Sequence, residues 1–138
     1  MYYQSPLASS GLLLAFGALP LVARELRLRS PSDFDRVRSS GKSWSSDLIV
    51  AVVLANGLEG NRYGFAVGRR VGNAVARNRA KRLMREAARR MHPRLWQGWD
   101  ILFIARNKVR PETTQAAIDA ALTAVLTRAG LVCRDEQA

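Results

Sequence analysis

Residues 67–90 constrain the fold of this chain most, because the segment is both strongly basic and amphipathic. At about 100° per residue, one helical stripe is apolar and the opposite side is polar and cationic. The apolar stripe contains Ala76, Ala80, Leu83, Ala87 and Met91. The opposite side contains Asn78, Lys81, Arg82, Arg85 and Arg89, while Arg77 and Arg79 flank the stripe. The spacing predicts a helix that docks on a sheet and presents a wall of cations.

Both ends of this helix carry signals. Gly72-Asn73 precedes it, and an Asn side chain can accept from one of the unpaired N–H groups at a helix start. His92-Pro93 ends it, because the residue before proline is pushed out of the α region.

The cations of this helix indicate a polyanionic partner. Arg77, Lys81, Arg85 and Arg89 follow one another at i,i+4, where like charges repel. Glu86 is the only acid in the segment. Arg is chosen over Lys almost throughout, and its planar fork suits phosphate. An ordinary solvated helix would interleave acids, so we expect these charges to meet a polyanion.

The composition points the same way. The net charge of +11 and the pI of about 11.3 favour nucleic acid first and anionic membrane second. The single cysteine, Cys133, excludes an internal disulfide framework and a cysteine-rich zinc site. The single histidine, His92, has no second histidine for metal binding or triad chemistry.

The remaining elements can be predicted from local signals. Ser30-Pro31 followed by Asp33 starts a first helix that ends at Gly41. Residues 48–54 are apolar and β-branched, as in a central strand, and Trp44 begins either the same strand or a short preceding one. Residues 62–67 alternate, and the turn chemistry between these two strands predicts a hairpin.

A short buried strand at 101–105 and a last helix complete the chain. The helix is predicted to open at Pro111-Glu112 and to close at Gly130. Its apolar stripe is Ile118, Leu122, Val125 and Ala129. We therefore predict an α/β (α+β) two-layer sandwich of three helices on a small mixed sheet of about four strands, in the order α-β-β-(β)-α-β-α. No phosphate-binding glycine motif is present.

The termini differ from this domain. Residues 11–23 are apolar, but the first ten residues lack Lys and Arg, unlike a signal peptide, and the run is too short to span a bilayer. We expect residues 1–23 to be a disordered extension or to reflect a start codon assigned too far upstream. The single domain is predicted at 24–132, with a frayed tail at 133–138.

The basic segment resembles the signature of the bacterial ribonuclease P protein subunit. The resemblance lies in Val71-Gly72-Asn73-Ala74-Val75, Arg77-Asn78-Arg79, Lys81-Arg82-Leu83 and Arg85-Glu86. Leu28, Arg29, Asp33, Phe34 and Val37 also resemble the opening of that family. The resemblance implies an endoribonuclease whose chemistry is carried by an RNA subunit with Mg²⁺, so that no protein residue is catalytic or binds metal. It also implies a cytoplasmic location and a left-handed crossover through the basic helix.

The resemblance also implies two binding surfaces. Residues facing the catalytic RNA, in a complex of one protein and one RNA, would be Arg69, Arg70, Asn73, Arg77, Asn78, Arg79, Lys81, Arg82, Arg85 and Arg89. A cleft for the single-stranded 5′ leader of precursor tRNA would contain Phe34, Arg38 and Lys42. Two positions depart from the family: Arg38 stands where a second aromatic is common, and Val52 where Tyr is common. Both changes predict weaker stacking on the leader.

Aromatic residues near the sheet favour RNA as the partner. Phe34, Trp44, Tyr63 and Phe65 are candidates for stacking on unpaired bases, although each fits a core position as well. Three other functions fit parts of the sequence: a non-catalytic ribosomal or chaperone-like RNA-binding protein, a secreted membrane-active cationic protein, and a protein-only nuclease. The last would need clustered carboxylates, whereas the acids are scattered along the chain.

Overall fold

The computed structural model describes residues 26–133. Its helices are α1 (Pro31–Ser40), α2 (Ala74–Met91) and α3 (Gln115–Arg128), and its strands are β1 (Lys42–Ser45), β2 (Ile49–Ala55), β3 (Arg62–Val67) and β4 (Trp99–Ala105). The strands form one mixed sheet in the spatial order β1-β2-β4-β3. This confirms the predicted sandwich of three helices and a four-stranded sheet.

The sheet is covered on both faces, because β2 and β4 are apolar on both sides. Ile49, Ala51 and Val53 point into a main core with α2 and α3. Val52 belongs to a smaller core beneath α1, with Val37 of that helix. The prediction of a central strand covered on both sides is therefore confirmed for β2.

The local signals around α1 are confirmed. The Ser30 hydroxyl accepts a hydrogen bond from the Asp33 amide at 3.1 Å, Pro31 is the first helical residue, and Gly41 follows the last. A Cβ at Gly41 would lie 2.7–2.9 Å from atoms of Val37, Val52 and Val53. Glycine therefore lets the end of α1 approach the sheet closely.

The predicted hairpin between 48–54 and 62–67 is wrong. β4 lies between β2 and β3, antiparallel to β2 and parallel to β3. The side chains of β4 between Ile101 and Phe103 are fully buried, as in a central strand covered on both faces. The antiparallel neighbour of β2 in sequence is instead β1, which holds Trp44 as a separate short strand.

The last helix starts later than predicted. Thr114 caps it by accepting a hydrogen bond from the Ala117 amide at 3.1 Å, and Pro111 lies in the preceding turn. The predicted end is confirmed, since Gly130 follows the helix with φ of 79°. The helix starts after Thr114 because the threonine hydroxyl accepts a hydrogen bond from an unpaired amide of the first turn. In the described chain, Pro111 and Glu112 form no such capping bond.

The two termini are only partly described. The predicted extension at 1–23 and the tail residues 134–138 lie outside the described residues. Cys133, predicted to be frayed, is held by its amide, which donates to the Arg94 carbonyl at 2.7 Å. Next to it, Val132 forms a β-bridge with Leu95.

Candidate RNA interface

The cationic helix α2 begins at a conformation that requires glycine. Gly72 has φ of 146°, and a Cβ there would lie 2.9 Å from the Ala76 side chain. Asn73 then caps the helix, because its side-chain oxygen accepts from the Ala76 amide at 3.0 Å. Both predicted start residues therefore act as expected.

The buried side of α2 is rotated from the predicted stripe. The buried residues are Ala80, Met84, Ala87, Ala88 and Met91. Relative to the predicted set, this moves the docked side by about 40° around the helix axis. Leu83 is left half-buried at the edge towards α3, where its carbonyl accepts from Gln115. Single-helix periodicity missed this rotation because α2 packs on both α3 and β3.

Five of the predicted RNA-binding side chains are open. Arg69 and Arg70 are exposed in a short turn after β3, which is anchored by the buried Val71. Asn78 and Arg82 are exposed and Lys81 is half-buried on α2. None of these five side chains makes an ion pair or hydrogen bond within residues 26–133. Their donors are therefore available to an external acceptor.

Two further arginines are held by backbone carbonyls. Arg77 donates to the Gly72 carbonyl and Arg79 donates to the Thr113 carbonyl, each at 2.8 Å. Each guanidinium has five N–H donors, so these bonds fix the side chains and leave donors for a ligand. Both side chains are half-buried on α2.

Arg89 is paired with an acid. Its guanidinium makes two hydrogen bonds to Glu86, at 2.6 and 3.1 Å, and Arg90 bonds the same carboxylate at 3.1 Å. The hydrogen bond from Arg89 is the main reason that the pKa of Glu86 lies below its ordinary value. Arg89 is thus partly neutralised within the protein, unlike Arg82.

Arg85 points towards the sheet edge rather than outward. Its guanidinium carbon lies 5.9 Å from the centroid of the Phe65 ring in β3. Burial, and then the charge of Arg27, lower the pKa of Arg85. Phe65 in turn stacks on Phe103 with centroids 5.9 Å apart. Phe65, one of the predicted stacking residues, is thus half-buried, and Arg85 lies over its ring.

A second surface lies on the other face of the sheet, beside α1. Phe34 is half-buried over β3, where a Cβ at Gly64 would lie 2.7 Å from its ring. Arg38, one turn later, is exposed on the same flank of α1. Beyond this flank, Val50, Ile104 and Ala66 form a half-buried row across β2, β4 and β3. We refer to this partly exposed apolar strip beside α1 as the cleft.

The register places Lys42 away from this cleft. Lys42 lies opposite Val53, whose side chain points into the main core on the other face. Ser43 and Ser45 occupy the cleft face of β1, opposite Val52 and Val50. The expected position of Lys42 in the cleft is not supported. Alternate residues of a strand point to opposite faces, and the face of Lys42 depends on the register of β1, which could not be predicted from the sequence.

An ionic cluster fixes the opposite flank of α1. Asp100 is fully buried and accepts hydrogen bonds from Arg62, Arg36 and Asn56 at 2.7–2.9 Å. Burial raises the pKa of Asp100, but these hydrogen bonds outweigh it and hold the pKa below its ordinary value. Asp33 joins the cluster through Arg36 at 3.3 Å and Arg62 at 3.8 Å.

This cluster was missed from the sequence. Arg62 is the first residue of β3 and Asp100 is the second of β4, and they are paired in the parallel register of the two strands. Their proximity depends on the insertion of β4, which the expected hairpin did not include. Two acids that look scattered along the chain therefore share the same two arginines.

Tyr63 and Trp44 are core residues rather than stacking platforms. Tyr63 is fully buried, and its hydroxyl lies 2.7 Å from Nδ1 of His92. Trp44 is half-buried against the main core.

Between residues 26 and 133, no three His, Cys, Asp or Glu side chains come together as a metal site. None of the described helices has the length and apolar character needed to cross a membrane.

Comparison with known proteins gives a consistent result. A family model described as Ribonuclease P matches residues 22–130. The ribonuclease P protein component of Roseiflexus castenholzii is 38% identical over 109 residues, covering 79% of this chain and 89% of that protein. The Natranaerobius thermophilus protein component is 47% identical over 79 residues, covering 57% of this chain and 69% of that protein.

Solved structures agree with these sequence matches. The RNase P protein of Staphylococcus aureus superposes with a TM-score of 0.71 at 30% identity, covering 78% of this chain and 97% of that one. The RNase P protein of Thermotoga maritima gives a TM-score of 0.69 at 32% identity, covering 74% of this chain and 96% of that one.

Proposed function

This chain belongs to the ribonuclease P protein family, and we propose that it binds the catalytic RNA of a ribonuclease P through the exposed side of α2. The observation that carries this proposal is the set of open side chains Arg69, Arg70, Asn78, Lys81 and Arg82. They lie on one continuous turn and helix, and no acid of the described chain neutralises them. Asn73 and the carbonyl-bound Arg77 and Arg79 would extend this surface.

We propose that the cleft beside α1 holds the single-stranded 5′ leader of precursor tRNA. Phe34 offers a half-exposed ring at one wall, and Arg38 adds a charge for a phosphate. The row of Val50, Ile104 and Ala66 would form an apolar floor for bases. Because Val52 is buried and Arg38 is not aromatic, stacking in this cleft depends on Phe34.

The two surfaces lie on opposite faces of the sheet and approach each other at β3. The Arg69–Val71 turn follows β3 directly, so it would sit between the catalytic RNA and the leader. The protein would thereby align the substrate on the RNA, with counterion release supplying much of the affinity.

We propose that the RNA partner holds the Mg²⁺ that the reaction needs. In metal-dependent phosphodiester hydrolysis, metal ions stabilise the attacking and leaving oxygens. The described carboxylates do not fit this role, because Asp33 and Asp100 are bound by Arg36 and Arg62. In this proposal the protein supplies binding and alignment, and no protein side chain acts as a catalytic residue.

Cleavage of precursor tRNA by a bacterial ribonuclease P RNA at low Mg²⁺, with and without this protein, tests the proposal. We expect marked stimulation and release of the 5′ leader. Tight RNA binding without stimulation would instead support a non-catalytic ribosomal or chaperone-like role.

The cleft is tested separately with Phe34→Leu, which keeps an apolar side chain over Gly64 but removes the aromatic ring. We expect it to weaken binding of precursor tRNA more than binding of mature tRNA by the protein–RNA complex. Equal losses for both ligands would place Phe34 in the core and not in a leader site. Asp35→Asn, at an exposed position of α1, is the control.

A further inference from the structure

We propose that Arg27 and Arg85 together bind one backbone phosphate of RNA, at the line where α2 meets the outer edge of the sheet. This inference rests on the proposed function, because it names an additional contact between the protein and its RNA. Arg27 is not part of the basic segment, and it adds the chain before α1 to the RNA-binding surface.

The backbone at Arg27 is held firmly beside β3. Arg27 forms a parallel β-bridge with Tyr63, and the Leu28 amide donates to the Tyr63 carbonyl at 2.7 Å. Leu26 is buried in the main core, and Leu28 is buried in the core beneath α1. The segment is thus anchored on both sides of Arg27, which sets where its side chain emerges.

Arg85 reaches the same edge from α2. Its guanidinium lies over the Phe65 ring. A cation above the face of an aromatic ring is attracted by the electrons of the ring. Phe65 is fixed by its stacking on Phe103. Both arginines are therefore positioned by their surroundings before any ligand binds.

The two side chains share an unusual deficiency. Of the buried side-chain N and O atoms in residues 26–133, only Nε of Arg27 and Nε of Arg85 lack a hydrogen-bond partner. A buried donor without an acceptor costs stability, and native proteins rarely retain one without a reason. Here both such donors belong to arginines at β3, since Arg27 is bridged to Tyr63 and Arg85 lies over Phe65.

The charges at this place are also unbalanced. Arg36 and Arg62 share Asp100, whereas Arg89 and Arg90 share Glu86. Neither Arg27 nor Arg85 has a carboxylate partner within the described chain, and the charge of Arg27 lowers the pKa of Arg85. A group placed between them must therefore be an anion with several acceptors.

A phosphodiester meets these requirements. Its two non-bridging oxygens carry one negative charge and accept several hydrogen bonds, and guanidinium forks bind such oxygens in pairs. It would accept hydrogen bonds from the outer nitrogens of both guanidinium groups and remove the repulsion between the two cations. On α2, Arg85 follows Arg77 and Lys81 at four-residue steps, so the phosphate would extend a row of contacts along one strand of RNA.

A double-mutant cycle with Arg27→Met, Arg85→Met and the double variant tests the shared phosphate. Methionine keeps much of the aliphatic stem and removes the charge. Binding to ribonuclease P RNA is measured across a range of salt concentrations. We expect each single variant to bind roughly tenfold more weakly and the double variant to lose little more. The salt slope should fall by one phosphate in total, about 0.7–0.9.

Arg94→Met is the matched control, because Arg94 is exposed beyond the end of α2 and only its backbone carbonyl makes a bond. It should leave the affinity nearly unchanged. Fully additive losses in the double variant, with a slope reduced by two phosphates, would overturn the shared site. So would unchanged binding in both single variants.

A second measurement needs no ribonuclease P RNA. Inorganic phosphate should raise the Tm of the free wild-type protein and of Arg94→Met more than that of the double variant. Without phosphate, Arg27→Met should not have a lower Tm than the wild type, since it removes a repulsion and an orphan donor, whereas Arg85→Met also loses the contact with the Phe65 ring. Lower Tm values in both, with an equal phosphate response in the double variant, would make the arginines structural and overturn the proposal. A wild type that responds to phosphate but does not stimulate cleavage would retain the phosphate site and contradict the proposed function.

Discussion

His92 lies directly after α2, and its Nδ1 atom is 2.7 Å from the Tyr63 hydroxyl. Asn61 donates from its side-chain amide to the same hydroxyl oxygen at 3.3 Å. The hydroxyl hydrogen can therefore point at Nδ1, which places the imidazole proton on Nε2. Burial lowers the pKa of His92 to about 4 and raises that of Tyr63. Both groups are neutral near neutral pH.

The shifted pKa of His92 predicts a pH dependence of stability. In the unfolded chain the pKa returns to about 6.5, so between these two values the unfolded state binds a proton that the folded state does not. The free energy of unfolding should fall as the pH drops from about 6.5 to about 4, by roughly 3 kcal/mol at most. His92→Gln should remove this part of the loss in urea titrations across that range. An unchanged pH profile in the variant would contradict a buried neutral imidazole.

Gly64 sets how closely Phe34 approaches the sheet. A Cβ there would lie 2.7 Å from the Phe34 ring and 3.0 Å from the Leu28 side chain. We expect Gly64→Ala to destabilise the fold by roughly 1–3 kcal/mol, because the ring must move. Gly68→Ala is the control, since no atom lies within 4 Å of its Cβ position. Equal unfolding free energies for the two variants would show that the ring moves without cost.

At the scale of elements, the position of α1 depends on a polar contact as well as on the core beneath it. Arg36 binds Asp100 on one flank, and Phe34 faces the cleft from the other. The flanks are linked through a rigid helix of ten residues. We therefore expect the Asp100 cluster to influence how α1 is positioned beside the cleft.

Removal of the Asp100 charge should affect both stability and leader binding. Asp100→Asn leaves Arg36 and Arg62 near a buried neutral group, and loss of one partner from a buried ion pair costs roughly 3–5 kcal/mol. Asp35→Asn, which is exposed on the same helix, should cost little in urea denaturation. Where Asp100→Asn still folds, discrimination between precursor and mature tRNA should weaken. If the variant is destabilised but still distinguishes precursor from mature tRNA, the Asp100 cluster does not influence the cleft.

Elements governed by local chemistry could be predicted from the sequence. Ser30, Asn73 and Gly130 act at helix ends as predicted, because each effect involves residues only a few positions apart. The position of β4 could not be predicted, because turn residues after β2 are compatible with a hairpin as well as with a crossover. The Arg62–Asp100 pair depends on that position, and the placement of Arg27 beside β3 depends on its bridge to Tyr63. They join residues far apart in the chain, and periodicity carries no information about such pairs.

For the whole molecule, the charge of +11 is divided unequally between open and paired side chains. Arg82 is exposed and has no partner in the described chain, whereas Arg89 is bound to Glu86. The positive charge that the predicted cationic face offers to a ligand is therefore unequal along α2. The first turns of the helix and the preceding Arg69–Val71 turn are available. Sequence alone assigned the same role to both arginines.

This difference predicts distinct salt dependences for matched variants. Arg82→Ala should weaken RNA binding and lower the salt slope by about one phosphate, or 0.7–0.9. Arg89→Ala should change the slope less, because Glu86 already offsets its charge. Affinity measured over a series of salt concentrations separates the two variants. Equal slopes would show that RNA displaces Glu86 from Arg89.

The insertion of β4 between β2 and β3 also sets the order in which this protein can fold. β3 has no strand beside it on the inner side until β4 pairs with it, and all of α2 lies between these two strands. Closing that connection costs chain entropy before the pairing rewards it. During synthesis, β1 and β2 can pair early, whereas α1 gains its contact with Asp100 only when β4 is present. The cationic helix is fixed on the sheet only when the last strand has left the ribosome.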